Sequence, residues 1–156
     1  MYPHVCTWLR KVLARRYRGA EILVENTSKK VLSRWLYDRG LHGYFQGYQS
    51  FEIEVDVTGV AKTGSEVYMA FVECKLSKIT LRDISQLLGY SRVAQPSLSL
   101  ILSPKGLSDS MNTLLNVFRR YDILHYNRGK YIVVGKWDYS KAEPDASSLI
   151  PKGIRI

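Results

Sequence analysis

FEIEVDVTGVAKTGSEVYMAFVECK, from Phe51 to Lys75, carries the strongest fold signal in the chain. Phe51, Ile53, Val55 and Val57 alternate with Glu52, Glu54, Asp56 and Thr58, the period of a half-buried strand, and predict a strand over 51–61. Val67 to Lys75 reads as a second strand, more apolar than the first. Gly64-Ser65 between them fits a two-residue type II′ hairpin turn. That turn sets the register. Thr63 then opposes Glu66, Asp56 opposes Glu73, and Glu54 opposes Lys75. A two-residue shift built on Thr63-Gly64 would instead bring Glu54 opposite Glu73 and keep an acidic pair. A one-residue shift would turn Asp56 to the other face of the sheet.

Directly opposed side chains sit about 4.5–5.5 Å apart at Cβ. Two carboxylates that close repel unless a proton or a cation lies between them. A hard divalent cation with oxygen ligands, Mg²⁺ or Mn²⁺, answers that need. The plain alternative is a solvent face of mixed charge, with Glu54 and Lys75 as a cross-strand ion pair. Against it, Phe71-Val72-Glu73-Cys74-Lys75 is mostly apolar, and charges in such a setting need partners or a task.

Towards the N-terminus, Pro3 to Arg18 reads as an amphipathic helix: Val5, Trp8, Leu9, Val12 and Leu13 on one side, basic residues on the other. A second helix ends near Arg39-Gly40, with Val31, Leu32, Trp35 and Leu36 inward. It starts either at a cap among Asn26, Thr27 and Ser28 or already near Ala20. Tyr44 to Gln49 is aromatic and strand-prone. After the hairpin, a helix is expected from Thr80, with Asp83 in a capping-box position, to about Val93 before Pro96. Gln86 and Tyr90 share one face of it, four residues apart. Leu98 to Leu102 reads as a buried strand. Ser108 caps a further helix with Met111, Leu114, Leu115 and Phe118 inside, and a hairpin joins Ile123–Tyr126 to Tyr131–Gly135. From Lys141 onward the pattern is that of a loose or packed tail. The expected fold class is α/β, a central mixed sheet flanked by helices.

At 156 residues the chain, 1–156, is expected to be one domain with its own core. No run approaches the roughly 20 apolar residues of a membrane span, and the first residues lack a secretory pattern. Cys6 and Cys74 make no disulfide framework and no CxxC zinc pair. A reduced thiol at Cys74 and an intracellular location, cytoplasmic or nucleoid-associated, are expected. The net charge of +9 favours a nucleic acid as partner. No membrane partner is expected, because no helix combines a broad apolar face with low overall hydrophobicity of the right kind. His4, His42 and His125 have no metal-ligand spacing. Ser103-Pro104-Lys105-Gly106 could hold a phosphate, although a surface turn accounts for it as well. The basic residues of the first helix, with Arg82, Arg92, Arg119, Arg120, Arg128 and Lys130, could form a DNA track.

Asp56, then Glu73-Cys74-Lys75 on the second strand of a hairpin, then Gln86-Leu87-Leu88-Gly89-Tyr90 on the following helix, together resemble the PD-(D/E)XK nuclease superfamily. The last segment is similar to the QxxxY motif of its RecB-type branch, and archaeal Holliday-junction-resolvase-like members are a second comparison. The resemblance covers about residues 25–102. No proline precedes Asp56, where the family pattern has one. The resemblance implies an αβββαβ core, here with an extra N-terminal helix and a C-terminal helix plus hairpin. It implies that Asp56, Glu73 and the carbonyl of Cys74 ligate Mg²⁺, with Mn²⁺ substituting. Lys75 would orient or help deprotonate the attacking water. Gln86 would position the nucleophile or a phosphate, and Tyr90 would line the DNA face. A glutamate from the first core helix often joins such sites; Glu25 is the first candidate and Glu21 the second. The implied activity is a Mg²⁺-dependent deoxyribonuclease, endo- or exonucleolytic, structure-selective or end-processing, in DNA repair, recombination or degradation. A homodimer would suit a junction resolvase. The alternative is a non-catalytic nucleic-acid-binding protein that keeps the fold.

Overall fold

The computed structural model describes all residues, Met1–Ile156. In chain order the elements are α1 (Tyr2–Arg16), β1 (Glu21–Asn26), α2 (Leu32–Asp38), β2 (Val57–Thr63), β3 (Glu66–Cys74), α3 (Leu81–Ala94) and β4 (Leu98–Ser103). After these come α4 (Asp109–Asn112), β5 (His125–Asn127), β6 (Lys130–Asp138) and β7 (Glu143–Pro144). Seven strands form one mixed sheet in the order β1-β2-β3-β4-β6-β5, with β7 against β6. The β1-β2-β3 meander is antiparallel, whereas β4 lies parallel to β3 and β6 parallel to β4. The order αβββαβ is filled by α1, β1, β2, β3, α3 and β4, with α2 inserted between β1 and β2, so α1 is the first helix of that order rather than an extra one, and the order begins at Tyr2 rather than near residue 25. No helix is long and apolar enough to cross a membrane.

The alternation of β3 explains the two layers. Ala70, Val72 and Cys74 face α1, where Val5, Leu9, Val12 and Leu13 are buried with them. Met69 and Phe71 face the other way, into the core under α2 and α3 with Trp35, Ile84, Leu87 and Ile101. Gly59 lets α1 approach the sheet: a Cβ there would lie 2.8 Å from Leu13 Cδ1 and 3.0 Å from Leu9 Cδ2. α3 begins with the expected capping box, Thr80 and Asp83 bonding reciprocally.

Several expected elements come out differently. Residues from Ala20 do not begin a helix: Glu21–Asn26 is a strand, because the apolar run Ile22-Leu23-Val24 pairs with β2 in the register Val24↔Gly59. It supplies the strand that was expected at Tyr44–Gln49. That aromatic stretch forms two short 3₁₀ turns instead, with Gly47 at φ +73° between them. The strand expected from Phe51 begins only at Val57. Phe51, Ile53 and Val55 are buried and alternate as read, but their carbonyls are taken by Ser33, Leu32 and the Thr27 hydroxyl, so no ladder to β3 forms. Ser108 does cap α4, but after Asn112 the chain widens into one π turn, and Phe118 is left 67% exposed rather than inside. The tail is packed: β7 pairs with β6, and Ile150 and Val134 exchange two backbone hydrogen bonds.

Candidate functional site

The hairpin keeps the expected register. Thr63 pairs with Glu66 around Gly64-Ser65, Gly64 sits at φ +52°, and the ladder runs to Val57↔Val72. One residue further, Asp56 leaves the ladder. Its carbonyl accepts from the Thr27 amide at 2.8 Å. Its carboxylate turns to the end of β3, where Oδ2 accepts from the Cys74 amide at 2.8 Å. Oδ1 accepts from the Tyr2 hydroxyl at 3.1 Å, so the first turn of α1 reaches this corner of the sheet. Burial first, then the Asp56 charge, pushes the Tyr2 phenol up to about 12, so it stays a donor at neutral pH.

Glu73 lies on the α3 face of β3 and is 8% exposed. Burial raises its pKa, and the neighbouring Asp56 charge raises it further, against the opposing pull of Lys75. Lys75 Nζ is 3.0 Å from Glu73 Oε1 and 3.3 Å from Asp83 Oδ1. Burial alone would lower the Lys75 pKa; the hydrogen bond and charge of Glu73, then Asp83, outweigh it and raise it. Burial would likewise raise Asp83, but the Thr80 amide and hydroxyl at 2.9 and 2.8 Å, then Lys75, hold it below the usual range. The Cys74 side chain points into the core under α1, and burial pushes its thiol up. Only the main chain of Cys74 is therefore suited to the corner where Asp56 and Glu73 lie.

The fold thus draws Asp56, Glu73 and Lys75 together and adds Asp83 and Tyr2. Asp83 was legible in the sequence only as a helix cap, and its contact with Lys75 depends on how α3 docks. Tyr2 carried no sequence signal at all. The expected pair of Glu54 with Lys75 does not form, because the ladder ends before Glu54 and Lys75 turns to Asp83. Glu54 instead lines an open cleft of about 690 Å³ with Glu52, Gln86, Tyr90, Ser28 and Val31. There the Gln86 amide donates to the Tyr90 hydroxyl at 3.1 Å. Asp56, Glu73 and Lys75 do not line that cleft, so the QxxxY pair is not brought together with the carboxylates; Gln86 lies one helical turn and Tyr90 two past Asp83.

A glutamate from the first core helix is also overturned. α1 contains no acidic residue, and both candidates lie on β1. Glu25 is held by Arg39 at 2.5 Å, the Trp35 indole at 3.0 Å and Lys30 at 3.3 Å. Burial would raise its pKa, and these partners hold it low instead, so its charge is already compensated. The loop Ser103–Gly106 is a turn whose Ser103 hydroxyl is spent on the Ser77 carbonyl and the Lys105 amide.

No known family pattern matches the sequence, and no curated protein matches it. Two solved structures align with the chain at low similarity. The protein of unknown function AF1548 is 12% identical with a TM-score of 0.41, over 92% of this chain and 62% of that one. The MspJI restriction endonuclease, in complex with a 27-mer oligonucleotide, is 10% identical with a TM-score of 0.43, over 86% of this chain and 25% of that one. The chain thus spans less than two thirds of either protein. At these scores neither likeness decides family or activity.

Proposed function

We propose that the chain is a divalent-metal-dependent nuclease that hydrolyses phosphodiester bonds in DNA at Asp56, Glu73 and Lys75. The observation that carries this reading is Glu73. Its carboxylate is nearly buried, with its pKa raised by burial and by Asp56. Two carboxylates brought to one corner, one of them nearly buried, suit a cation between them. The donor set fits Mg²⁺ or Mn²⁺: two carboxylates and the Cys74 carbonyl are all oxygen donors, and Mg²⁺ uses one or two carboxylates with waters and substrate phosphate. These three groups would hold the ion. Bound there, it would supply Lewis-acid stabilisation of the phosphate and a lowered pKa for an attacking water.

The chain's own residues set the rest. Tyr2 and the Cys74 amide fix the plane of the Asp56 carboxylate while leaving lone pairs on both oxygens. Lys75, with a raised pKa, stays an ammonium at neutral pH; it orients water or stabilises charge on phosphate and does not act as a base. Asp83 holds Lys75 from the cap of α3. Gln86 and Tyr90 would meet the substrate in the neighbouring cleft. Glu52 and Glu54 line that cleft and repel phosphate, so the contact suits a base or sugar. Cutting of ends or branched structures in repair, recombination or degradation is the finer reading.

The test is a panel of linear, circular, single-stranded and four-way-junction DNA, with Mg²⁺ or Mn²⁺, beside Glu73→Ala. Metal-dependent cutting by the wild type alone is expected. Equal cutting by the variant, or no cutting of any substrate, would refute the reading. One observation favours a second reading, a non-catalytic nucleic-acid binder: Glu73, Lys75 and Asp83 already satisfy one another. That reading expects salt-sensitive binding without cleavage.

A further inference from the structure

On the opposite face of the sheet from α3, a groove of about 530 Å³ runs between α1 and the segment joining β6 to β7. Its α1 wall carries His4, Thr7, Lys11 and Arg15, which lie along one flank of the helix, with Trp8 below. Lys141 and Glu143 stand on the other wall. Lys11, Arg15 and Lys141 are exposed, in no ion pair, and brought to one groove. With no acidic residue on α1, nothing on the helix itself offsets this charge. Glu143 is the one anion in the groove, and it directs a polyanion towards the α1 wall.

We propose that this groove binds the sugar–phosphate backbone of a nucleic-acid strand whose other end lies at Asp56 and Glu73. The binding stands on the groove's charge; the connection to the carboxylates rests on the proposed nuclease function. Tyr2 ties the start of α1 to Asp56 from the helix flank opposite the groove, at about 100° per residue, so the strand crosses the N-terminal turn of α1 between the two. Lys11 and Arg15 lie beyond it by roughly 14 and 20 Å along the axis, at about 1.5 Å per residue. At roughly 3.4 Å of axial rise per nucleotide, the phosphates they contact lie at least about four to six nucleotides from the bond at the carboxylates. An anionic membrane is the less fitting partner, because the apolar face of α1 is buried on the sheet and has nothing left to insert.

The test measures anisotropy of a labelled 24-base-pair duplex and a 24-nucleotide single strand in EDTA, across a salt series, so that cleavage plays no part. Wild type is compared with the exposed double variant Lys11→Gln/Arg15→Gln and with Arg34→Gln as control. Losing two phosphate contacts makes the log–log salt slope shallower by about 1.8 on duplex or about 1.4 on single strand. Affinity falls on the order of tenfold, and Arg34→Gln changes neither. Ethylation interference lost in the double variant is expected at least about four nucleotides from the cut bond, the minimum that about 1.5 Å per helical residue sets. An unchanged slope or no binding by the wild type overturns the groove. Interference confined to the cut bond overturns the connection to the carboxylates. If Glu73→Ala still cuts while the double variant loses binding, the carboxylate site falls and the groove stands; the converse pattern does the reverse.

Discussion

Replacing Asp56 separates its structural role from its chemical one. In Asp56→Ala the Cys74 amide, on a residue 8% exposed, loses its acceptor, and Tyr2 loses its tie to the sheet. An orphaned buried donor costs about 1–3 kcal/mol, and a hydrogen bond to a charged group contributes about 1.5–3 kcal/mol. Relief of the repulsion on Glu73 offsets part of this, so a net loss of about 1–3 kcal/mol is expected. For a chain of this size that is roughly 2–12 °C in Tm. Asp56→Asn keeps an acceptor for the Cys74 amide, and the Tyr2 hydroxyl can turn to accept from the new amide. Its Tm is expected within about 2–4 °C of wild type. Both variants are expected to lose metal-dependent cleavage by at least about a hundredfold, since losing even an outer partner of a metal ligand costs about 10–100-fold. Calorimetry and a cleavage time course on one preparation read both quantities. An Asp56→Ala protein as stable as wild type would refute the hydrogen-bond reasoning. An Asp56→Asn protein that cuts normally would refute the site.

The packing and the charges set two further outcomes. Asp83 has its pKa held low in the fold, so the unfolded chain takes up its proton first, and the stability that Asp83 contributes is lost as pH falls from the ordinary carboxylate value through the depressed one. The Tm gap between wild type and Asp83→Asn, followed by circular dichroism, is expected to be widest above about pH 4 and to close below it; a gap that ignores pH would count against the Lys75 and Thr80 contacts. Gly59→Val drives a side chain into Leu13 and Leu9, and chemical denaturation is expected to report a loss of about 1–3 kcal/mol; an unchanged midpoint would mean that α1 does not pack on the sheet at this point.

The hairpin and the start of α3 were legible from the residues alone. Gly64-Ser65 and a period of two fix which residues face which from Thr63 to Val57, and the Thr80–Asp83 box starts α3 where it was read. These signals are local, carried by neighbours along the chain or across one tight turn. Packing had to decide that Glu21–Asn26 is a strand, since its apolar run suits a helix or a strand until β2 offers a partner. It also decided that the ladder stops short of Asp56, because residues 27–33 claim the carbonyls of 51–56. The partners that shape the candidate site come from far along the chain: Tyr2 is 54 residues from Asp56, and Asp83 meets Lys75 only through the docking of α3. No periodicity encodes such meetings, because each depends on how whole elements pack.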